Sequence, residues 1–180
     1  FTARDRTGNE PWAEDIWPDR LAPIIRHGEE GPEIVQARWG MPTPTAYLPK
    51  SGRDSGVTNI RNPASPHWRR WLGAEHRCLV PLIAFSEPGP DRKPVWFEMA
   101  DGRPIMLAGI EVRGWTSVRK VKDGETVDDL FGFLTCPPNA EVGAIHPKAM
   151  PVILRNPEEW RAWMNLPWDM AQALQRPLSD

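Results

Sequence analysis

Apolar residues along this chain recur mostly at alternate positions or in runs of six to ten, and both patterns predict strands. Residues 33–39 alternate with β-branched side chains and read as a strand stopped by Gly40-Met41-Pro42. Residues 57–62 form a second extended piece. Four strand-like runs follow at 77–86, 94–99, 105–112 and 130–136, separated by turn signals at Pro88-Gly89-Pro90, Asp101-Gly102 and Asp123-Gly124. Asp-Gly between apolar runs is a hairpin signal, so a meander of antiparallel strands is expected. Residues 149–154 read as a further strand.

Helical signals are fewer and come late. Ser65-Pro66 offers an N-cap followed by proline at the first helical position, which predicts a short helix over 67–72 closed by Gly73. One or two helical turns are expected over 139–145. Asn156-Pro157-Glu158-Glu159 opens another helix, with Trp160, Trp163 and Met164 on one face, and residues 169–175 make a last one. Residues 1–32 read as loop-rich, bracketed by Gly8-Asn9-Glu10-Pro11 and His27-Gly28-Glu29-Glu30-Gly31-Pro32 around a short apolar piece at 21–25. Residues 43–56 form a polar loop long enough to be functional or mobile. The expected fold class is α+β: a β-rich single domain over 1–180, with mainly antiparallel strands in a curved or barrel-like sheet and short peripheral helices.

Composition changes this picture in a few places. A chain of 180 residues fits one compact domain. Its 21 prolines, scattered without a period, agree with many turns and short strands. No stretch approaches the roughly 18 apolar residues of a membrane helix, and residues 1–6 do not resemble a secretory signal. The two cysteines, Cys78 and Cys136, lie in apolar runs without metal-ligand spacing, so both are expected to be buried thiols of a reducing cytoplasm, with no metal or cofactor. A net charge of -2 means that attraction to a polyanion must come from a local patch.

Polar residues inside apolar runs are the candidates for chemistry, because a buried polar group must be satisfied or used. Glu87 ends an apolar run beside a tight turn, where partial desolvation raises a carboxyl pKa toward a range useful for proton transfer; a solvated turn residue is the plain alternative. His146 sits between a turn and a strand with Lys148 close behind, suited to moving protons or binding phosphate, or else to a structural hydrogen bond. His27 and His67 are expected on the surface. Asn59 and Arg61, two apart in an extended segment, share a face and could join a substrate-orienting amide to a phosphate-holding guanidinium. Arg61, Arg69, Arg70 and Arg77 are interleaved with Trp68 and Trp71, the mixture that suits single-stranded nucleic acid, although such a run is also what a solvated face over a tryptophan core looks like. The second basic group, Arg119, Lys120 and Lys122, is offset by Glu125, Asp128 and Asp129.

These runs resemble the SOS-response-associated peptidase family. Arg38-Trp39-Gly40-Met41-Pro42 is similar to its Trp-Gly-Leu-Ile-Pro, Thr58-Asn59-Ile60-Arg61 to Asn-Ala-Arg, Arg77-Cys78-Leu79-Val80-Pro81 to Arg-Cys-Leu-Val-Pro, and Phe85-Ser86-Glu87 to Phe-Tyr-Glu. Further on, Leu134-Thr135 through Asn139 resembles Leu-Thr-Thr-x-x-Asn, and Ile145-His146-Pro147-Lys148-Ala149-Met150-Pro151 resembles Ile-His-x-Arg-Met-Pro. Six short motifs in collinear order span about residues 33–163.

The resemblance implies capture of abasic sites in single-stranded DNA. In the family, the cysteine after the initiator methionine becomes the N-terminus by self-processing, and its amine and thiol close on the ring-opened sugar aldehyde as a thiazolidine. Carried over, Glu87 matches the glutamate that assists ring-opening, His146 the histidine that moves protons, and Asn59 the asparagine that positions the cysteine and the sugar. Arg61 matches a DNA-backbone contact, and Trp39 and Pro42 lie in a motif near the DNA groove. With Trp68, Arg69, Arg70, Arg77 and Lys148 they make the expected DNA surface. The implied partner is abasic single-stranded DNA, with no obligate protein partner, in the cytoplasm at the nucleoid. The sequence begins at Phe1 without the family's Met-Cys start, so residues are expected to precede Phe1 and to follow Asp180, and Cys78 and Cys136 offer no free α-amine in their place. Ser86 and Pro88 stand for the usual Tyr and Trp, and Lys148-Ala149-Met150 carries one extra residue. A DNA-binding module without catalysis is the alternative, and a peptidase acting on other proteins is a third reading for which the residues give no chemical motive.

Overall fold

The computed structural model describes residues 2–9 and 13–179. Its strands, in chain order, are β1 (Arg4–Asp5), β2 (Leu21–Gly28), β3 (Gly31–Trp39), β4 (Asn59–Ile60), β5 (Arg77–Leu82), β6 (Ala84–Pro88), β7 (Pro94–Glu98), β8 (Ile105–Lys120), β9 (Gly124–Cys136), β10 (Met150–Pro151) and β11 (Ile153–Leu154). The α-helices are α1 (Ala140–Ile145), α2 (Pro157–Asn165) and α3 (Trp168–Ala171). The fold is β-rich α+β, and its centre is a closed barrel of five strands. Going round, β3, β2, β5, β8 and β9 pair antiparallel in turn. The ring then closes where Arg38 and Trp39 of β3 meet Leu130 and Phe131 of β9 in parallel. Closure removes the open edges that a flat sheet of this composition would leave.

Several elements differ from the sequence reading for identifiable reasons. The region read as loop contains all of β2, whose apolar alternation is broken by Arg26; ion pairs of Arg26 with Glu33 and Asp129 allow that side chain into a mostly buried strand. The Gly28-to-Gly31 signal is the tip of the β2–β3 hairpin, with Gly31 at φ 117. Of the earlier turn signal, Glu10 and Pro11 lie outside the described residues. The run expected as one strand over 77–86 bends at exposed Ile83, and its second half leaves the barrel to pair with β7 as a separate two-stranded sheet. Strand β8 runs on past Val112 through a bulge to Lys120 and turns at Asp123-Gly124 into β9, as the Asp-Gly signal requires. The other Asp-Gly, 101–102, joins β7 to β8 without pairing them. The helix expected at 67–72 is a single 3-10 turn at Arg69–Trp71.

Beyond Gly109 and Phe133 strands β8 and β9 splay apart, and the segment carrying β10 and β11 fills the gap. Met150 and Pro151 pair with Cys136 and Thr135 of β9, Ile153 and Leu154 pair with Leu107 and Met106 of β8, and Val152 serves both strands through Val152 N to Leu134 O at 2.9 Å and Ala108 N to Val152 O at 3.0 Å. Helix α2 covers the outside of β5 and β8. The Asn156 side chain caps it by accepting from Glu159 N at 2.9 Å, Pro157 occupies its first turn, and buried Trp163 donates its indole N–H to the carbonyls of Cys78 and Gly109. Strand β5 therefore has apolar neighbours on both faces, which is why it reads as an unbroken apolar run. Both cysteines are buried and free, as expected.

The 43–56 loop is pinned at its two ends. Buried Asp54 accepts from Thr43 Oγ1 at 2.6 Å and Gly56 N at 2.8 Å, while buried Arg119 of β8 donates to the carbonyls of Gly40 and Asp54. Gly40 and Gly56 are packed so closely that a Cβ on Gly56 would lie 2.4 Å from Arg119 Nη1 and 2.8 Å from Gly40 Cα. Gly52, at φ 71, has nothing within 4 Å of its virtual Cβ. Gly52→Ala is therefore expected to cost about 1–2 kcal/mol from the left-handed backbone alone. Gly56→Ala should carry that cost plus roughly 1–3 kcal/mol of overpacking, read as a lower urea midpoint. Equal midpoints for the two variants would remove the close-packing argument.

Candidate functional site

Residue types and local rules account for the site's two ionisable groups. On β6 alternate side chains face one way, so Phe85 and Glu87 lie on the same side. Phe85 stacks on Phe97 of β7 with ring centroids 5.2 Å apart, and both rings pack against the core. Their burial carries Glu87 inward with them, while Ser86 and Trp96 on the other face are exposed. His146 is delivered by α1. The Asn139 side chain starts that helix by accepting from Val142 N at 3.1 Å, and His146 ends it, its own N–H donating to Val142 O at 2.8 Å. The turn after the helix folds back so that Nδ1 lies 3.1 Å from Ala149 O.

Glu87 and His146 meet with Nδ1 3.2 Å from Glu87 Oε2, their side chains 28% and 20% exposed for His146 and Glu87 respectively. Both neighbours of Nδ1, a carbonyl and a carboxylate, are acceptors, so the Nδ1 position carries the proton. Nε2 is then the ring nitrogen with a free lone pair, and among the described residues it has no hydrogen-bond partner. Burial raises the Glu87 carboxyl above its ordinary pKa, and the nearby His146 offsets part of that rise. The arrangement is a carboxyl that holds its proton unusually well, beside an imidazole oriented to accept one. Such a pair can donate and accept protons on one substrate without a metal. Among the described residues no group of three or more His, Cys, Asp or Glu side chains is placed to hold a metal ion.

Asn59 is carried by a separate short strand. Strand β4 lies parallel to β9 on the edge away from β8, with Asn59 opposite Phe133 and Ile60 opposite Leu134. Its neighbour Trp39 stacks on Phe133 at 5.4 Å and donates its indole N–H to Thr58 O at 3.2 Å. Asn59 is exposed while Ile60 is buried, so the short strand turns its amide outward. Met150, the first strand residue after His146, pairs three residues further along β9, about 10 Å at strand rise.

The expected DNA surface is divided by the structure. Arg61, Arg69, Arg70 and Lys148 are exposed, and Arg70 lies over the Trp71 ring at 4.5 Å. Trp39 is half-buried. Arg77 is a correction: its side chain is fully buried, lies 5.5 Å from the Trp163 ring and donates to Leu166 O at the end of α2, so it is a helix-capping cation inside the protein and touches no DNA. Trp68 is 7% exposed and packed edge-on against His67, so it has no free face for a base. Pro42 is buried and its carbonyl accepts from His67 Nε2 at 2.8 Å; His67 and His27 are half-buried, and His27 Nε2 bonds Met164 O at 2.9 Å. Of the basic group at 119–122, Lys120 and Lys122 are exposed while Arg119 is buried. Arg119 does face acidic groups, but from within the protein, where it holds the 43–56 loop.

No described helix is long and apolar enough to cross a membrane. Two crystal structures share the fold at a TM-score of 0.69: a protein from Bordetella bronchiseptica, 25% identical and covering 96% of this chain and 84% of its own, and one from Bacteroides thetaiotaomicron, 24% identical and covering 89% of this chain and 70% of its own. A phage-related protein of Bordetella bronchiseptica is similar at a TM-score of 0.59 and 18% identity, over 89% of this chain and 73% of that one. Comparison with curated proteins gives no match. The family model of the SOS response associated peptidases matches residues 2–180, and with that match over the β-barrel and its Glu87–His146 pair, the chain belongs to the SOS response associated peptidase (SRAP) family.

Proposed function

We propose that this protein captures abasic sites in single-stranded DNA by forming a covalent bond between an N-terminal cysteine, exposed by self-processing, and the sugar aldehyde. The observation that supports this reading most directly is the contact of Glu87 with His146, in a family member whose Asn59 strand lies along the adjoining β9 edge. In the proposed sequence Glu87 donates a proton as the sugar ring opens to the aldehyde. The α-amine, with a pKa near 7.7–8.0 and so partly neutral at pH 7, attacks the carbonyl carbon and loses water to give the imine. His146 Nε2 relays protons during that loss, and the cysteine thiol adds to the imine carbon to close the thiazolidine. Asn59 orients the amine and the sugar. Arg61, Arg69, Arg70 and Lys148 hold phosphates. Cys78 and Cys136 do not serve as the nucleophile: both are buried, burial pushes the Cys136 thiol up to about 11 and the Cys78 thiol well above its ordinary value, and neither carries an α-amine.

A DNA-binding role without the covalent step is the second reading, favoured if the natural amino terminus lacks a cysteine after methionine. Incubating the natural full-length protein with an abasic oligonucleotide is expected to give a denaturation-resistant band. Glu87→Gln and His146→Ala should each slow its appearance by about 10²-fold or more; no band, or one formed at the same rate by all three proteins, ends the covalent reading.

Glu87 also sets a pH dependence of stability. Its folded-state pKa is raised, chiefly by burial, so the native protein holds this proton to higher pH than the unfolded chain does. Stability is then lost as pH rises from the unfolded value, about 4.3, through the folded one, and remains lower above it. Glu87→Gln is accordingly expected to melt above the wild type at pH 7, with the gap closing at pH values where Glu87 is protonated in both states. A variant that melts lower at pH 7 would contradict the desolvation account.

Phosphate contacts should appear in the salt response. Arg61→Ala and Lys148→Ala are each expected to flatten the slope of log affinity against log salt for single strands by about 0.7. A salt-independent affinity in the wild type would exclude the basic surface.

A further inference from the structure

Strand β4 is only two residues long, and the backbone ladder holding it to β9 stops at Ile60 opposite Leu134. Beyond that point the carbonyls of Arg61 and Thr135 would be left without donors from each other's strand. A side chain from near the other end of the sequence supplies them: Gln175 Nε2 donates to Arg61 O at 3.0 Å and to Thr135 O at 2.8 Å. One amide group uses both of its N–H bonds to continue the ladder where backbone pairing has ended.

Gln175 is held firmly enough for this. It follows the 3-10 turn Gln172–Leu174, whose Gln172 carbonyl accepts the Gln175 backbone N–H at 3.0 Å. The next residue, Arg176, donates to Glu159 of α2 at 2.6 Å, and Leu174 and Leu178 pack against the core on either side. Thr135 is also the partner of Pro151 on the opposite edge of β9. The clamped spot therefore lies between the strand that presents Asn59 and Arg61 and the segment that leads back to His146.

We infer that Gln175 is a positioning residue: its carboxamide sets the placement of Asn59 and Arg61 relative to the Glu87–His146 pair, and so governs both single-strand binding and the covalent step. The functional half of this inference rests on the activity proposed above; the clamp itself does not.

Three variants of the natural full-length protein test it. Gln175→Met keeps the length and removes both donors. Gln175→Glu places a carboxylate against two carbonyls, which can donate only when protonated. Gln175→Asn keeps the amide on a chain too short to reach. The Phe133 N–H, which donates to Thr58 O at 3.3 Å, reports on the β4–β9 pairing by hydrogen exchange. In Gln175→Met and Gln175→Asn its exchange is expected to rise about tenfold, the effect of losing one or two hydrogen bonds, while exchange in the β5–β8 pairing is unchanged. Gln175→Glu should show the same loss at pH 7 and regain protection relative to the wild type as pH falls. Affinity for an undamaged single strand and the crosslinking rate at saturating DNA should both drop in Gln175→Met.

Unchanged Phe133 exchange in Gln175→Met would overturn the clamp. Raised exchange with wild-type affinity and a wild-type crosslinking rate would overturn the positioning role. Raised exchange in a protein whose wild type forms no crosslink would support the clamp and sink the proposed activity instead, so the two failures are distinguishable.

Discussion

Strand β9 must satisfy its backbone along two edges with partners drawn from the whole chain, and most of the molecule follows from how it does so. One edge takes β8 as far as Gly109 and then, where the two part, the short β10. The other takes the end of β3 and then β4. A strand buried on both faces cannot leave these carbonyls and amides to water. Each short segment on its edges is therefore held in a fixed register, and the side chains those segments carry are fixed with it. Asn59 and the loop bearing His146 are placed by this requirement, from segments that have few other contacts with the barrel.

Ionic groups in the protein fall into two kinds. Around Arg26, Glu33, Glu111 and Asp129, and again around Arg38, Asp19 and Asp128, opposite charges are closely matched. Those networks join β2, β3, β8 and β9 into one ring, and each member would be costly to leave unpaired. Glu87 is different. It is partly desolvated with a single imidazole as its ionic partner, and burial outweighs that partner as it also outweighs the two arginines beside Glu111. A carboxyl in such surroundings lowers stability at neutral pH.

How much of this could be read from the residues depends on the range of the interaction. The strands at 33–39, 105–112 and 130–136, the Asp123-Gly124 turn and the Asn156-Pro157 helix start were legible because each is decided within a few neighbouring residues. Glu87 and His146 stood out as polar groups in apolar runs, and their family motifs named them together; that they touch is decided by the bend at Ile83 and by the splaying of β8 from β9, and neither bend nor splay has a local signature. Arg77 is ambiguous in the sequence because a cation beside tryptophans looks the same whether the aromatics face a solvent groove or the core. Its burial depends on α2, which arrives some eighty residues later. Strand β2 is hidden in the sequence because Arg26 breaks its pattern, and the acids of β3, β8 and β9 make that position habitable. Gln175 carried no signal at all, since its partners are two carbonyls of distant segments.

The closure of the barrel by residues 38–39 against residues 130–131 has a consequence for how the protein is made. Parallel pairing between such distant segments forms only after a large loop has been brought together, and folds dominated by such contacts assemble slowly. During synthesis β2 and β3 leave the ribosome with one another for company and nothing to complete the ring until β9 has emerged. A nascent chain therefore exposes the edges of β2 and β3 until β9 has emerged, and the short segments that pair with β9, β4 with Asn59 among them, gain their shape only then.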